Sequence, residues 1–164
     1  MELYFRDNFF SSGETEIMDA SGRPIGKVDL RSAFGSSLEI FGAAGESLYE
    51  GRFLAFSSKW RVLQAGGEEI GQLRWRMAFF SKRFEYDSYG RGVYQLTSPA
   101  MSKEYEIADE DGRIVGRFER VSGWMSAGAF RLECGECQVP PLEWAAVILG
   151  MNAMQKQSAA AGGV

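Results

Sequence analysis

The chain has 164 residues, of which 45% are hydrophobic, 13% aromatic and 24% charged, and these values predict one globular domain with its own core. The formal net charge of −4 argues against a nucleic-acid-binding protein, whose binding face normally brings a basic excess. The N-terminal residues MELYFRDNFF lack the basic and then apolar pattern of a signal peptide, and the sequence has two cysteines, so we expect a cytoplasmic location.

Most of the chain, from Met1 to about Leu132, alternates between apolar and polar residues in short runs that Gly, Asp, Ser and Asn interrupt. About twelve such runs occur, at the spacing typical of an all-β sandwich or barrel. The pattern therefore predicts a mainly β domain.

A weak internal repeat combines a turn, an aliphatic residue, a glycine and a second apolar residue. Its copies occupy residues 21–28, 66–73 and 111–118, with a looser copy at 45–53. The first glycine of each copy suits a hairpin turn that needs a positive φ. The second glycine lies inside a strand and predicts a bulge or tight bend there, at Gly26, Gly71, Gly116 and Gly51. Strands that bend at matching points favour a sheet that closes on itself.

The sequence changes character at Pro140-Pro141, because two prolines suit the first turn of a helix. We predict a single helix near residues 141–157 and a flexible tail over residues 158–164. All of residues 1–157 then form one domain.

The predicted helix is apolar on every side. Between Leu142 and Met154 only Glu143 and Asn152 are clearly polar. A helix of this kind must be surrounded on all sides, and the run is shorter than the roughly 20 apolar residues that a bilayer requires. Twelve strands tilted by about 40° enclose a cylinder of roughly 12 Å radius, which has room for one helix. We therefore predict an approximately twelve-stranded closed antiparallel barrel around a central hydrophobic C-terminal helix.

An all-β domain that ends in one very apolar helix resembles the tubby C-terminal-like superfamily, and within it the group of LURP-one-related proteins, their small bacterial relatives and the scramblases. The residues that carry the resemblance are Met1 to Ser12, the repeated Ile-Gly or Val-Gly turns, residues 84–86 and the terminal LEWAAVILGMNAMQK. The resemblance implies a twelve-stranded barrel around a central helix.

The same resemblance gives a lead to function. Tubby proteins bind phosphoinositides through basic side chains, which suggests a phospholipid head group as a ligand class here, although no tubby position matches this chain residue by residue. Scramblases are proposed to bind calcium just before their terminal helix, where this chain offers only Glu133 and Glu136, too few for six to eight oxygen ligands. Lipid scrambling is therefore not expected.

Catalysis is not expected either, because the sequence contains no histidine. This excludes the Ser-His-Asp and Cys-His mechanisms, the commonest general acid–base residue and any zinc site with imidazole ligands. We expect no cofactor and no metal.

The pair Cys134-Gly-Glu-Cys137 has the spacing of a metal or redox motif. One such pair supplies half of the four ligands of a structural zinc site, and a zinc shared between two subunits would supply the rest. A redox pair normally lies at the N-terminus of a helix, which lowers the pKa of one thiol, whereas this pair follows a strand. A turn with two small apolar thiols is the favoured interpretation over a redox switch.

A basic cluster is the candidate ligand-binding site. Arg74 and Arg76 share one strand face, and Lys82 and Arg83 lie on the next strand if the two form a hairpin. Three or four cations brought together would bind a phosphate or lipid head group. Phe79-Phe80 between them would be either core residues or a tip that touches a membrane. The alternative interpretation is an ordinary solvated strand face whose charge nearby glutamates balance.

Three hypotheses for function remain open. The first is a non-catalytic module that binds an anionic ligand such as a phospholipid head group, in the cytoplasm or peripheral to a membrane. The second is a protein-interaction or regulatory module that uses the barrel exterior, and the third is a thiol switch at Cys134 and Cys137. The sequence predicts no transmembrane segment and no nucleic-acid partner.

Overall fold

The computed structural model describes residues 1–11, 13–31, 36–76, 81–99, 102–123 and 128–162. These ranges contain twelve β-strands, one short 3-10 helix, Asp7–Phe10, and one α-helix. The strands are β1 (Glu2–Arg6), β2 (Gly13–Met18), β3 (Pro24–Leu30), β4 (Ser37–Gly42), β5 (Ser47–Phe53), β6 (Trp60–Gln64), β7 (Glu69–Arg76), β8 (Ser81–Asp87), β9 (Val93–Pro99), β10 (Tyr105–Ala108), β11 (Ile114–Val121) and β12 (Ala129–Cys134). The α-helix is α1 (Pro141–Gly162).

The strands form a closed antiparallel barrel. Each strand pairs with its neighbours in the sequence, and β1 closes the sheet by pairing with β12 from Glu2 opposite Glu133 to Arg6 opposite Ala129. Each of the twelve described strands therefore has a neighbouring strand on both sides, which is how a barrel avoids the open sheet edges that could pair with another chain. The predicted twelve-stranded barrel is confirmed for the residues that the structure describes.

Helix α1 lies inside the barrel. Every side chain from Glu143 to Leu149 is buried, and no side chain in this stretch is more than 2% exposed. Because these residues point in all directions around the helix axis, the sheet surrounds the helix on every side. The enclosed helix predicted from its uninterrupted apolar composition is therefore confirmed.

The helix is longer than the sequence pattern indicated. It begins at Pro141 as expected but continues to Gly162, five residues beyond the predicted end. Residues 158–162 are thus helical, and the flexible tail expected from residue 158 is wrong for this part. Ala159 to Ala161 explain the difference, because alanine has the highest helix propensity and the side chains need no partner.

The glycine repeat marks bulges in the sheet. In three copies the strand register shifts at the residue immediately before the strand glycine. These residues are Ile25, Ile70 and Val115. In the looser copy the shift falls at Leu48, three residues before Gly51. The predicted bends are therefore confirmed at Gly26, Gly71 and Gly116 but not at Gly51. Bulges of this kind increase the local twist that a closed barrel needs.

A buried ion pair holds the first turn of α1. Arg91 donates from Nη1 and Nη2 to the two carboxylate oxygens of Glu143 at 2.7 and 2.8 Å, and Tyr86 donates its hydroxyl to Oε1 at 2.5 Å. Burial and the adjacent carboxylate raise the pKa of Tyr86, so this hydroxyl keeps its proton. The network fixes the helix against β8 and the turn that follows it.

The alternation of strand direction gives the barrel two distinct ends. We call the end at which α1 begins the entry end, and it carries the turns at residues 19–23, 43–46, 65–68, 88–92 and 109–113. We call the end at which α1 ends the exit end, and it carries the turn at residues 54–59 and the last residues of β7. Among the helices that the structure describes, none is both long and apolar enough to cross a membrane.

Candidate anion-binding site

The predicted basic cluster lies on β7 and β8, which pair as a hairpin. Arg74 lies opposite Glu85, and Arg76 lies opposite Arg83. Residues that face each other across an antiparallel pair share one face of the sheet, and here that face is the barrel exterior. We call the group of Arg74, Arg76 and Arg83 the arginine face.

One carboxylate neutralises much of the arginine face. Arg74 donates to Glu85 Oε1 from Nε at 2.8 Å and also from Nη2, while Arg76 donates from Nη2 to Oε2 at 2.8 Å. Gln95 on β9 donates to the same Oε2 at 3.0 Å. Burial of Glu85 raises its pKa, but the hydrogen bonds from Arg76, Gln95 and Arg74 outweigh this and lower the pKa to about 2.

Arg83 differs from the two other arginines. Its side chain is exposed and lies between Arg76 on β7 and Thr97 on β9 in the sheet register. Within the described ranges it forms no ion pair and no side-chain hydrogen bond. Arg83 therefore keeps its guanidinium available to an external anion.

Lys82 does not join the arginine face, because consecutive residues of a strand point to opposite sides. It turns towards the interior at the exit end and donates Nζ to the carbonyl of Ser102 at 2.7 Å. Burial, and then the charge of Lys103, lower the pKa of Lys82. Of the four cations predicted to come together, the structure therefore places the three arginines on one face and Lys82 on the other.

Two further lysines approach the same end from distant parts of the chain. Lys103 Nζ lies 5.0 Å from the ring centroid of Phe10, and Lys156 of α1 donates to the carbonyl of Phe10 at 3.2 Å. Neither lysine forms an ion pair with any residue that the structure describes. We call Lys82, Lys103 and Lys156 the lysine rim. Sequence reasoning missed the last two, since their proximity depends on how the barrel closes.

A groove beside these cations has the opposite character. It has a volume of about 640 Å³, and its lining includes Glu104, Glu106 and Glu119 with Arg117. Three carboxylates and one guanidinium give it a negative balance that does not suit an anion. The arginine face and the lysine rim are therefore the better candidates.

Cys134 is the last residue of β12, and Cys137 lies in the segment between β12 and α1. Both thiols are free, and burial together with the nearby Cys137 raises the pKa of Cys134 to about 12. Cys137 donates to the carbonyl of Val139 and accepts a hydrogen bond from Trp144 at 3.4 Å. A thiol held protonated is a poor nucleophile, so this environment does not suit a redox switch.

Two remaining expectations concern aromatic residues and metals. Phe79 and Phe80, expected beside the basic cluster, lie outside the described residues. In the part of the chain that the structure describes, no group of three or more His, Cys, Asp or Glu side chains is placed to hold a metal ion.

Comparisons with known proteins agree with the fold. A family model described as LURP-one-related matches residues 1–140. Among solved structures, the X-ray structure of a protein from Arabidopsis thaliana is similar, with 13% sequence identity, a TM-score of 0.61, and coverage of 92% of this chain and 90% of that one. At this identity the likeness shows the fold alone. No curated protein matches the sequence.

Proposed function

Since the chain belongs to the LURP-one-related family, we propose that it is a non-catalytic binding module that recognises an anionic ligand through the arginine face and the lysine rim. The expected ligand class is a phospholipid head group. The proposal is supported by a single observation: Arg83, Lys103 and Lys156 have no carboxylate partner among the described residues, although the chain as a whole has more acidic than basic residues.

The distribution of ion pairs favours this assignment. Elsewhere on the barrel wall exposed arginines face acidic partners, as Arg117 does with Glu106 and Arg120 with Asp7. Guanidinium and ammonium groups bind phosphate through charge-assisted hydrogen bonds, and the guanidinium can do so with two parallel bonds. Cations that lack a carboxylate partner among the described residues are therefore the groups that an external phosphate would engage.

The alternative of a protein-interaction module on the barrel wall has less support. The large apolar side chains that are exposed in the described ranges do not gather on one wall. Phe56 and Trp75 lie at the exit end, while Tyr89 and Ile114 lie in or beside turns at the entry end. A protein-binding wall normally presents a contiguous apolar patch.

The experiment uses soluble probes, so that binding does not depend on a bilayer. Isothermal titration calorimetry at low ionic strength would measure affinity for glycerophosphoserine and for a soluble inositol phosphate. We expect R83A and K103A each to weaken binding by about tenfold, because a hydrogen bond to a charged group contributes about 1.5 kcal/mol.

R113A is the matched control, since Arg113 is equally cationic but lies at the entry end in a turn with Asp109. Its affinity should stay within about twofold of that of the unmodified protein. The proposal is wrong if neither probe binds at low salt, or if R113A weakens binding as much as R83A does.

A further inference from the structure

The two ends of the barrel carry opposite charge. At the entry end the turns hold six acidic residues, which are Asp19, Glu46, Glu68, Asp109, Glu110 and Asp111. The arginines in these turns are already paired, Arg23 with Asp19, Arg113 with Asp109 and Arg91 with Glu143. The entry end is therefore strongly negative.

The exit end is basic. Lys59 in the turn at residues 54–59, Arg83 and the three lysines of the lysine rim form no ion pair with any described residue. Their charges are separated from the acidic turns by the length of the barrel. Although the net charge is −4, the protein thus presents a positive field at one end, which orients it towards an anionic surface.

The same end holds an open apolar groove. Its volume is about 910 Å³, and it lies between the turn at residues 54–59, the end of β7 and the last turns of α1. The larger apolar side chains among its described lining residues are Phe53, Leu54, Phe56, Trp75 and Met154. Trp75 faces inward at the end of its strand, packs edge-on against Phe84, and is still 40% exposed.

Phe56 projects from this groove into solvent. Its side chain is fully exposed, and its φ of +56° lies in the left-handed region that residues other than glycine rarely adopt. That conformation is unfavourable for a residue with a side chain. The turn is held by its own backbone, since the Leu54 amide donates to the Lys59 carbonyl and the Ser57 amide donates to the Leu54 carbonyl, each at 3.0 Å. A strained backbone that displays a phenyl ring to water points to a role outside the folded core.

We infer that the exit end docks on an anionic membrane surface, with Phe56 and Trp75 entering the apolar boundary of the bilayer while Lys59, Lys103 and Lys156 contact the lipid head groups. The complementarity of charge identifies the occupant, because an apolar tip ringed by unpaired cations matches a surface whose apolar interior lies beneath anionic groups. The inference rests on the proposed function for the class of ligand, and it adds how the protein reaches that ligand.

The test measures co-sedimentation with vesicles of phosphatidylcholine alone and of phosphatidylcholine with about 30% phosphatidylserine. We expect binding to the anionic vesicles that weakens as salt rises, because exposed charges are screened. F56S should weaken binding about tenfold, since a phenyl ring loses a favourable transfer from water. K59A and K156A should each weaken it about fivefold, at about 1 kcal/mol per lysine near an anionic surface.

The chain offers a matched control. Ile114 is an exposed apolar residue beside a turn at the entry end, so I114S should bind the anionic vesicles as the unmodified protein does. Depth is measured with phosphatidylserine vesicles whose acyl chains carry bromine near the head group. Tryptophan fluorescence should be quenched in the unmodified protein and much less in W75F.

The outcomes separate this inference from the proposed function. If soluble head groups bind but vesicles do not, or if F56S and I114S bind vesicles equally well, membrane docking is wrong and the proposed function stands. A third outcome is that the unmodified protein forms a concentration-dependent dimer that F56S abolishes, and does not bind vesicles. The groove then binds a second copy of the chain, and membrane docking is again wrong. Vesicle binding that is lost in F56S without any affinity for soluble head groups supports the docking and contradicts the proposed function.

Discussion

Gly150 of α1 lies so close to the indole of Trp60 on β6 that a Cβ at position 150 would come within 2.5 Å of the ring. On the other side of the indole, a Cβ at Gly51 of β5 would also lie 2.5 Å away. Trp60, one of the two buried tryptophans of the core, thus occupies a slot between the helix and the strand at two positions where neither element carries a side chain. The slot fixes both the depth of α1 in the barrel and its rotation.

Replacing Gly150 by alanine should therefore destabilise the protein. Overpacking a rigid ring costs about 2 kcal/mol, which outweighs the roughly 1 kcal/mol that alanine contributes to a helix. Chemical denaturation of G150A would measure this, and W60F in the same chain should restore part of the loss. S158A on the exposed part of α1 is the control and should be neutral or slightly stabilising. An unchanged G150A would mean that Trp60 has room to move.

The buried pair between Arg91 and Glu143 gives a second prediction. In R91A the Glu143 carboxylate, whose side chain is 1% exposed, keeps its burial but loses its ion pair. Removing one partner of such a pair costs about 3–5 kcal/mol. R113A removes an exposed pair with Asp109 and should cost less than about 1 kcal/mol. Equal effects in urea denaturation would show that Arg91 does not hold the helix.

The lowered pKa of Glu85 predicts a pH dependence. Its folded-state pKa of about 2 lies below the ordinary value of 4.5, so its stabilising contribution is complete above about pH 4.5 and is lost as the pH falls towards 2. E85Q lacks this contribution, and should be less stable than the unmodified protein at pH 7 by on the order of 2 kcal/mol. The difference between the two unfolding free energies should vanish near pH 2. A difference that is constant with pH would contradict the assigned pairing.

Glu85 also limits the arginine face. When glutamine replaces it, Arg74 and Arg76 lose their shared anion, so E85Q should bind a soluble inositol phosphate more tightly than the unmodified protein by about fivefold. Calorimetry at pH 7 measures this, with E106Q as the control because Glu106 pairs with Arg117 on another part of the wall. Weaker binding by E85Q would place the ligand elsewhere.

The thiols give a further prediction. Because the pKa of Cys134 is about 12, almost none of it is thiolate at pH 8, and it is buried as well. A thiol-specific disulfide reagent should therefore react with Cys134 only after unfolding. In the C137S variant, the native protein should show no fast phase of reaction with the reagent. The denatured variant should show one reactive thiol. Fast modification of Cys134 in native C137S would revive the redox hypothesis.

The fold was predictable because two of its physical requirements can be recognised from short segments of the sequence. From Trp144 to Leu149 the helix has no polar side, so other parts of the protein must surround it on all sides. This requirement does not depend on how the strands are paired. The strand glycines at positions 26, 71 and 116 likewise predict bulges, since a residue without a side chain tolerates the close approach of neighbouring atoms there. Neither inference needs the register of any strand pair.

The candidate site was only partly predictable, because it depends on register and closure. Neighbouring residues Lys82 and Arg83 must face opposite sides of β8, but the pairing with β7 decides which of them joins Arg76. The neutralisation by Glu85 follows from the same register. Lys103 and Lys156 both contact Phe10 only after the barrel has closed.

The path of the chain through the barrel also limits how the protein can assemble. Because each strand pairs with those made just before and after it, the wall can grow hairpin by hairpin during synthesis. Its seam joins the first strand to the last one, and the helix that fills the lumen is translated after both. A barrel that closed before the helix was made would have an empty lumen lined by apolar side chains, so we expect the sheet to stay open until the helix is available. We therefore expect the pairing of β1 with β12 around α1 to be a late step of folding.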